Sequence, residues 1–285
     1  MIIKKNNILQ SEAKKAIVYD VYYEPSSIPK PIVIFAHGYK GFKDWGAWEL
    51  VAQTFANAGF FFLKFNFSHN GGTVEQPIDF PDLEAFANNN YSIELDDLNR
   101  VVDFITSENS FSKEINSEKI NLIGHSRGGG IVLIHAEEDA RISSVITWAG
   151  VSDFKPRFQK GTKGFENWLT TGITHIENSR TKQQLPHYFQ FYKDFEENEN
   201  RLTINRAVSN LSKPQLIVHG SDDLTVPINE ATALNKWNPA STLEIINEAD
   251  HVFGSMHPWR EKHLPPNLQQ AVNSTLTFLN KIEKM

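Results

Sequence analysis

The segment from Ile120 to Gly130, INLIGHSRGGG, constrains this chain more than any other. An apolar run ends in Gly124-His125-Ser126-Arg127-Gly128, and a glycine-led apolar stretch, Ile131 to Ala136, follows. That order predicts strand, sharp turn, helix. Such a turn holds its serine in a strained backbone conformation, with the hydroxyl projecting at the end of a sheet. Gly124 and Gly128 are required because side chains there would collide with the neighbouring strand and helix. The pentapeptide alone recurs by chance; the flanking strand and helix patterns give it meaning.

A serine hydroxyl is a weak nucleophile near pH 7 and needs a base, which in turn needs an orienting acid. Two later segments offer these groups, each just past a strand pattern. The first is His219-Gly220-Ser221-Asp222-Asp223-Leu224-Thr225-Val226-Pro227, and the second is Asn247-Glu248-Ala249-Asp250-His251-Val252-Phe253-Gly254. The order is Ser, Asp, His, with each group past a strand end, where open α/β sheets bind ligands. His251 is the expected general base and Asp223 its partner. Asp222 is the rival acid; Asp223 is favoured because it stands three residues before Val226-Pro227. Backbone N–H groups of Arg127, next after the serine, and Tyr39, in the first glycine loop, are expected to meet the oxyanion. His37, His125 and His219 are expected to serve their loops by packing or hydrogen bonding, and His257 and His263 lack the strand-and-Asp setting of His251.

The rest of the chain reads as a βα alternation. Buried strands are expected at Ile32–Ala36 and Phe60–Phe67, further strands at Arg141–Ala149 and Pro214–Val218, a short one at Thr242–Ile246, and a strand near a sheet edge at Ala16–Tyr23. Helical spacing marks Trp45–Ala58, Tyr91–Thr106, Ile228–Trp237 and Pro265–Ile282. Ser68 to Asn90 reads as a long loop. Lys64 fits its strand poorly, and the expected remedy is a stem that snorkels toward a face. The pattern predicts an α/β fold with a mostly parallel central sheet and helices on both faces. Between Gly150 and Pro214 the rhythm breaks: aromatics are scattered among charges and no buried strand is evident. Residues 152–210 are read as an inserted helical cap, and 1–151 with 211–285 as the core. The cap aromatics suit either packing or substrate contact. Asp153, just past a strand end, is the candidate contact for a substrate hydroxyl.

The 285 residues suffice for one large domain without metal or disulfide staples. There is no cysteine, which removes thiolate nucleophiles, Cys-based zinc sites and disulfides. No ligand-like spacing of His and acids is seen, so neither metal nor cofactor is expected. The charge of −6 is spread along the chain without a basic stripe, which argues against nucleic acid. No leader-like or membrane-spanning apolar segment is read, so no membrane association is expected and the expected location is cytoplasmic. A small-molecule ester is the expected partner; a homodimer is left open.

The loop His37-Gly38-Tyr39-Lys40-Gly41, the Ser126 elbow, the segment from His219 to Pro227 and Asp250-His251-Val252-Phe253 together resemble the α/β-hydrolase superfamily in type and order. The resemblance runs from about Ala16 to the C-terminus. Within it the chain is similar to bacterial feruloyl/cinnamoyl esterases and dienelactone-hydrolase-like serine esterases. The resemblance implies Ser126, Asp223 and His251 as a triad, with Tyr39 and Arg127 as oxyanion donors. The expected activity is hydrolysis of carboxylic esters through an acyl-enzyme. The same machinery would serve a peptidase, amidase or thioesterase, and a non-catalytic binding scaffold is the alternative of another class.

Overall fold

The elbow motif lies near the middle of a sheet whose construction follows from the apolar runs around it. A computed structural model describes residues 1–283. The strands β1 (Ile2–Ser11), β2 (Lys14–Tyr23), β3 (Lys30–Ala36), β4 (Phe61–Phe65), β5 (Ile115–His125), β6 (Ile142–Trp148), β9 (Gln215–Gly220) and β10 (Thr242–Ile246) form one eight-stranded sheet. Between β6 and β9 a separate hairpin is made by β7 (Ile173–Glu177) and β8 (Gln184–Tyr188). The order in the large sheet is β1-β2-β4-β3-β5-β6-β9-β10. β1 pairs antiparallel with β2 and β2 with β4, while every other pairing is parallel.

The central strands read as continuous apolar runs because both faces are covered. On one face Val33, Phe35, Phe62, Ile123, Ile146 and Leu216 pack with α1 (Trp48–Asn57) and α10 (Pro266–Ile282). On the other face Ile32, Ile34, Leu63, Leu122, Val145 and Ile217 pack with α3 (Tyr91–Thr106), α4 (Arg127–Glu138) and α9 (Ile228–Trp237). The alternation of neighbouring residues between the two cores is the period-two geometry of a strand. This is the α/β-hydrolase fold.

Several expectations need correction. The strand over Ala16–Tyr23 lies next to the edge, as expected, but the edge itself is a further strand, β1, which is polar and largely exposed and so carried no apolar signature. The segment from Ser68 to Asn90 contains a short helix, α2 (Leu83–Asn88), capped by the Asp82 carboxylate, which accepts the Ala85 N–H. Lys64 does not snorkel. It is fully buried and its ammonium meets Asp20 and Asp44. Lys43 meets the same two carboxylates, 2.8 Å from Asp20 Oδ1 and 2.5 Å from Asp44 Oδ2. Two cations and two carboxylates thus balance in the core.

The segment from 152 to 210 lies wholly between β6 and β9, and it is not all helical. A 3₁₀ turn (Lys155–Phe158) leads to α5 (Lys163–Thr171), the β7–β8 hairpin, α6 (Gln190–Glu197), α7 (Glu199–Leu202) and α8 (Ile204–Asn210). Its aromatics Phe154, Phe158, Phe165, Trp168, Phe191 and Phe195 are buried. Phe154, Phe158, Phe191 and Phe195 pack around Tyr91 of α3, whose ring stacks on Phe154 at 3.9 Å between centroids, and Trp168 lies against Phe158. Among the described residues no helix is long and apolar enough to cross a membrane.

Candidate active site

β5 delivers the chain into the elbow, and Ser126 takes φ 55°, ψ −119° before α4 begins. A non-glycine residue there costs on the order of 1–3 kcal/mol and persists only when its surroundings over-determine it. Here they do. The Ser126 N–H donates to Trp148 O at 3.0 Å, and its carbonyl accepts from Gly129 (2.9 Å) and Val151 (3.2 Å). A Cβ on Gly124 would stand 2.3 Å from Gly128 O, and one on Gly128 would stand 2.5 Å from Ala36 O. A Cβ on Gly38 would meet Ser126 Cβ at 2.8 Å, so glycine at 38 lets the first loop lie against the elbow.

The structure brings the three sequence-selected side chains into series. His251 Nε2 is 3.0 Å from Ser126 Oγ, and His251 Nδ1 is 2.8 Å from Asp223 Oδ2. Asp223 accepts at Oδ1 from the N–H groups of Thr225 and Val226, both at 2.8 Å. Its carboxylate is therefore fixed, and the ring proton of His251 sits on Nδ1, leaving Nε2 to accept from the serine hydroxyl. Burial raises the Asp223 pKa, but the hydrogen bonds from His251 and the two backbone N–H groups outweigh it, and the net shift is downward. The rival Asp222 is exposed, and among the described residues its carboxylate accepts one hydrogen bond, from the Ser221 hydroxyl at 2.8 Å.

The neighbouring histidines hold loops. His125 Nε2–H donates to His251 O at 2.9 Å, and burial pushes the His125 pKa down to about 3, so its ring is neutral. His219 Nε2 donates to Val226 O at 2.7 Å, His37 Nδ1 to Gly38 O at 2.9 Å, and His257 Nδ1 accepts the Gly46 N–H at 3.0 Å. His263 is exposed. Arg127 opens α4, so its N–H has no intrahelical acceptor, and the Tyr39 N–H has no protein acceptor among the described residues. Among those residues no cluster of His and acids could hold a metal ion.

Two cavities meet at Ser126. One, of about 490 Å³, lies under the 152–210 segment between Tyr91, Arg127, Arg157, Phe165, Trp168 and Phe191. The other, of about 610 Å³, lies beside the first glycine loop, between Lys40, Trp45, His125, His251, Met256 and Arg180. Tyr39 and Thr225 border both. No Asp or Glu lines either one.

Asp153 does not reach the serine's cavities. Its Oδ1 accepts the Lys155 N–H at 2.9 Å, and it borders a separate recess with Lys155 and Glu199. Four residues on, across the 3₁₀ turn, Arg157 lines the aromatic cavity instead. The side chain of Arg127 also had a place that sequence reading did not give it. Its guanidinium lies 4.1 Å from the Tyr39 ring centroid and 3.1 Å from Glu94 Oε1. His187 of β8 was likewise missed; its Nε2 is 2.6 Å from the Tyr39 hydroxyl.

A serine at a strained elbow, on a mostly parallel sheet with helices on both faces, defines a hydrolase of the α/β-hydrolase type. Residues 47–264 match the prolyl oligopeptidase family, and the chain belongs to it. Among solved structures it is similar to Est1E from Butyrivibrio proteoclasticus in the form holding ferulic acid. The TM-score is 0.72 at 18% identity, over 98% of this chain and 100% of that one. A dienelactone hydrolase from Anabaena variabilis superposes with a TM-score of 0.60 at 17% identity, over 95% and 94%. At these identities the likeness shows the fold. A proline iminopeptidase from Neisseria meningitidis is 27% identical over 153 residues, 52% of this chain and 42% of that protein. An uncharacterized protein from Pseudomonas aeruginosa is 32% identical over 149 residues, 52% of this chain and 34% of its own length. The matched part thus spans less than half of these curated relatives.

Proposed function

We propose that this protein is a metal-independent serine hydrolase that cleaves carboxylic esters through an acyl-enzyme. The observation that carries the reading is the unbroken series from Asp223 through His251 to Ser126 Oγ, at 2.8 and 3.0 Å, ending where two cavities open. Ser126 Oγ attacks the ester carbonyl while His251 Nε2 takes its proton. The oxyanion meets the N–H groups of Arg127 and Tyr39, each worth about 2.7–4 kcal/mol in the transition state. His251 then hands the proton to the departing alkoxide, and water repeats the sequence to release the acid.

The two cavities give the substrate a direction. His251 borders only the larger one, so the leaving alcohol, which must receive its proton, belongs there. The acyl group belongs in the aromatic cavity, with the 152–210 segment serving as a cap over it. A peptidase is the second reading, favoured by the family match and by the proline iminopeptidase similarity. Against an aminopeptidase stands the lack of any carboxylate lining either cavity among the described residues, since a peptide's ammonium would need one.

S126A should lower kcat/KM for a p-nitrophenyl acyl ester by at least about 10⁴-fold with folding intact by circular dichroism. A fluorophosphonate probe should add to Ser126 in intact-mass and peptide analysis. Persistent turnover in S126A, or labelling elsewhere, overturns the assignment. Matched ester and amide substrates decide between the two readings by their kcat/KM ratio.

A further inference from the structure

The aromatic cavity contains more hydrogen-bond donors than its apolar walls need. Arg127 is one residue from the serine, and its side chain is only 12% exposed. It is held by stacking: its guanidinium lies 4.1 Å from the Tyr39 ring, 5.4 Å from Tyr91 and 5.2 Å from Phe191. A guanidinium carries five N–H donors. Among the described residues Arg127 uses one, to Glu94 Oε1 at 3.1 Å.

Arg157 reaches the same cavity from the 3₁₀ turn. Its Nη2 donates to Glu230 at 2.7 and 2.8 Å and its Nε to Asp153 O at 3.1 Å, while Nη1 has no protein acceptor among the described residues. Tyr91 lines the same cavity, and its hydroxyl makes no hydrogen bond to protein among the described residues. It is near enough to both guanidinium groups that, although burial raises its pKa, each pulls it back. The counter-carboxylates Glu94 and Glu230 do not line the cavity. The side chain of Arg157 is 34% exposed and that of Arg127 12%, so their spare donors are open to the cavity's solvent and can be taken by a ligand. The three residues that bear these spare donors line one cavity, the space assigned to the acyl group.

We propose that Arg127, Tyr91 and Arg157 form a carboxylate-binding subsite, so that the preferred substrates are monoesters of dicarboxylic acids, the free carboxylate lying in the aromatic cavity. This rests on the acyl-enzyme reading and on the acyl group occupying that cavity. A planar guanidinium takes a carboxylate with paired, parallel hydrogen bonds, and the rings around it exclude competing water.

The test compares methyl monoesters of succinate, glutarate, adipate and terephthalate with methyl butyrate, valerate, hexanoate and benzoate, and with the corresponding dimethyl diesters. In the wild type, kcat/KM for at least one monoester should exceed both its neutral partner and its diester by roughly tenfold or more. R127Q should lower that ratio by roughly tenfold, and R157Q, at the cavity edge where a folding defect is least expected, should lower it several-fold. In parallel, the free dicarboxylic acids are titrated calorimetrically into S126A and into S126A/R157Q. Binding to S126A that weakens with R157Q supports the subsite even if no ester is cleaved, an outcome that would count only against the esterase reading. Turnover of neutral esters, diesters and monoesters at equal kcat/KM overturns the subsite and leaves the esterase reading standing. Equal losses on both partners of each pair in R157Q and R127Q also overturn it.

Discussion

Two buried ionic assemblies in this molecule use similar groups for opposite ends. In the first, Lys43, Lys64, Asp20 and Asp44 interlock between β2, β4 and the loop after β3; Lys43, Lys64 and Asp20 are fully buried. Each ammonium bridges both carboxylates, and the four charges sum to zero. In the second, Asp223 is as buried as Asp20, yet its series of hydrogen bonds does not close. It passes through His251 and ends at a serine hydroxyl facing two cavities. Burial and pairing alone therefore do not mark a working site. What separates the assemblies is whether the last polar atom is met by protein or left for a substrate.

The sharpest way to break that contrast is a pair of substitutions. D223N keeps an acceptor for the backbone N–H groups but no longer fixes the His251 tautomer, so kcat should fall by about 10³–10⁴-fold. Its stability cost should be small, about 1–2 kcal/mol for a weakened buried hydrogen bond. K64M should do the reverse. It leaves Asp20 and Asp44 sharing one ammonium, and the unfolding free energy should fall by about 3–5 kcal/mol in a urea titration. The kcat of the folded fraction should stay within about twofold, since Lys64 borders neither cavity. If D223N mainly destabilises, or K64M mainly inactivates, the two assemblies are not different in kind.

Acidification should separate them next. Asp223 has its pKa lowered, so it remains a carboxylate as the medium turns mildly acidic. Activity should then decline on acidification, because a base must be unprotonated to take the Ser126 proton. Stability should hold in mildly acidic medium. Burial raises the Asp44 pKa, but Lys64 and Lys43 outweigh it and hold it well below the ordinary value of 3.8. A depressed folded-state pKa contributes stability above the unfolded value and loses it below. Thermal unfolding should thus show the cluster's contribution fading only below about pH 4. Activity that does not fall on acidification would remove His251 from the role of base.

What could be read in the sequence divides along the same line. The elbow, the first glycine loop and the two loops bearing Asp223 and His251 were legible because each is a local requirement. Glycines 38, 124 and 128 sit where a Cβ would overlap neighbouring atoms, and the three proposed catalytic side chains come just after strand ends. The cation–carboxylate cluster was illegible because its members, at 20, 43, 44 and 64, meet only through strand pairing; Asp20 lies opposite Lys64 in the β2–β4 register. The edge strand β1 was missed because an exposed edge needs no apolar pattern. Asp153 was legible only as a position just past a strand end; that it borders one recess and Arg157 another depends on the turn at Lys155–Phe158, which the sequence did not reveal. The place of the Arg127 side chain depended on Glu94, 33 residues earlier on α3, which no local motif reveals.

The smallest expected effect tests where the core ends and the inserted segment begins. Tyr39 has two separable parts. Its N–H is the proposed oxyanion donor, while its hydroxyl is 2.6 Å from His187 Nε2, on the hairpin of the 152–210 segment. Burial pushes the His187 pKa down to about 3, so this is a bond between neutral groups, and its loss should cost about 1 kcal/mol. Y39F removes the bond and keeps both the N–H and the ring that stacks on Arg127. Activity should therefore fall only about three- to tenfold, mainly through KM, as the hairpin wall of the acyl cavity loosens. Single-turnover and steady-state kinetics would separate the two parameters. A loss in kcat of about a thousandfold, comparable to removing an oxyanion donor outright, would mean that the inserted segment holds the N–H in place. The catalytic geometry would then be shared between the core and the insertion rather than built by the core alone.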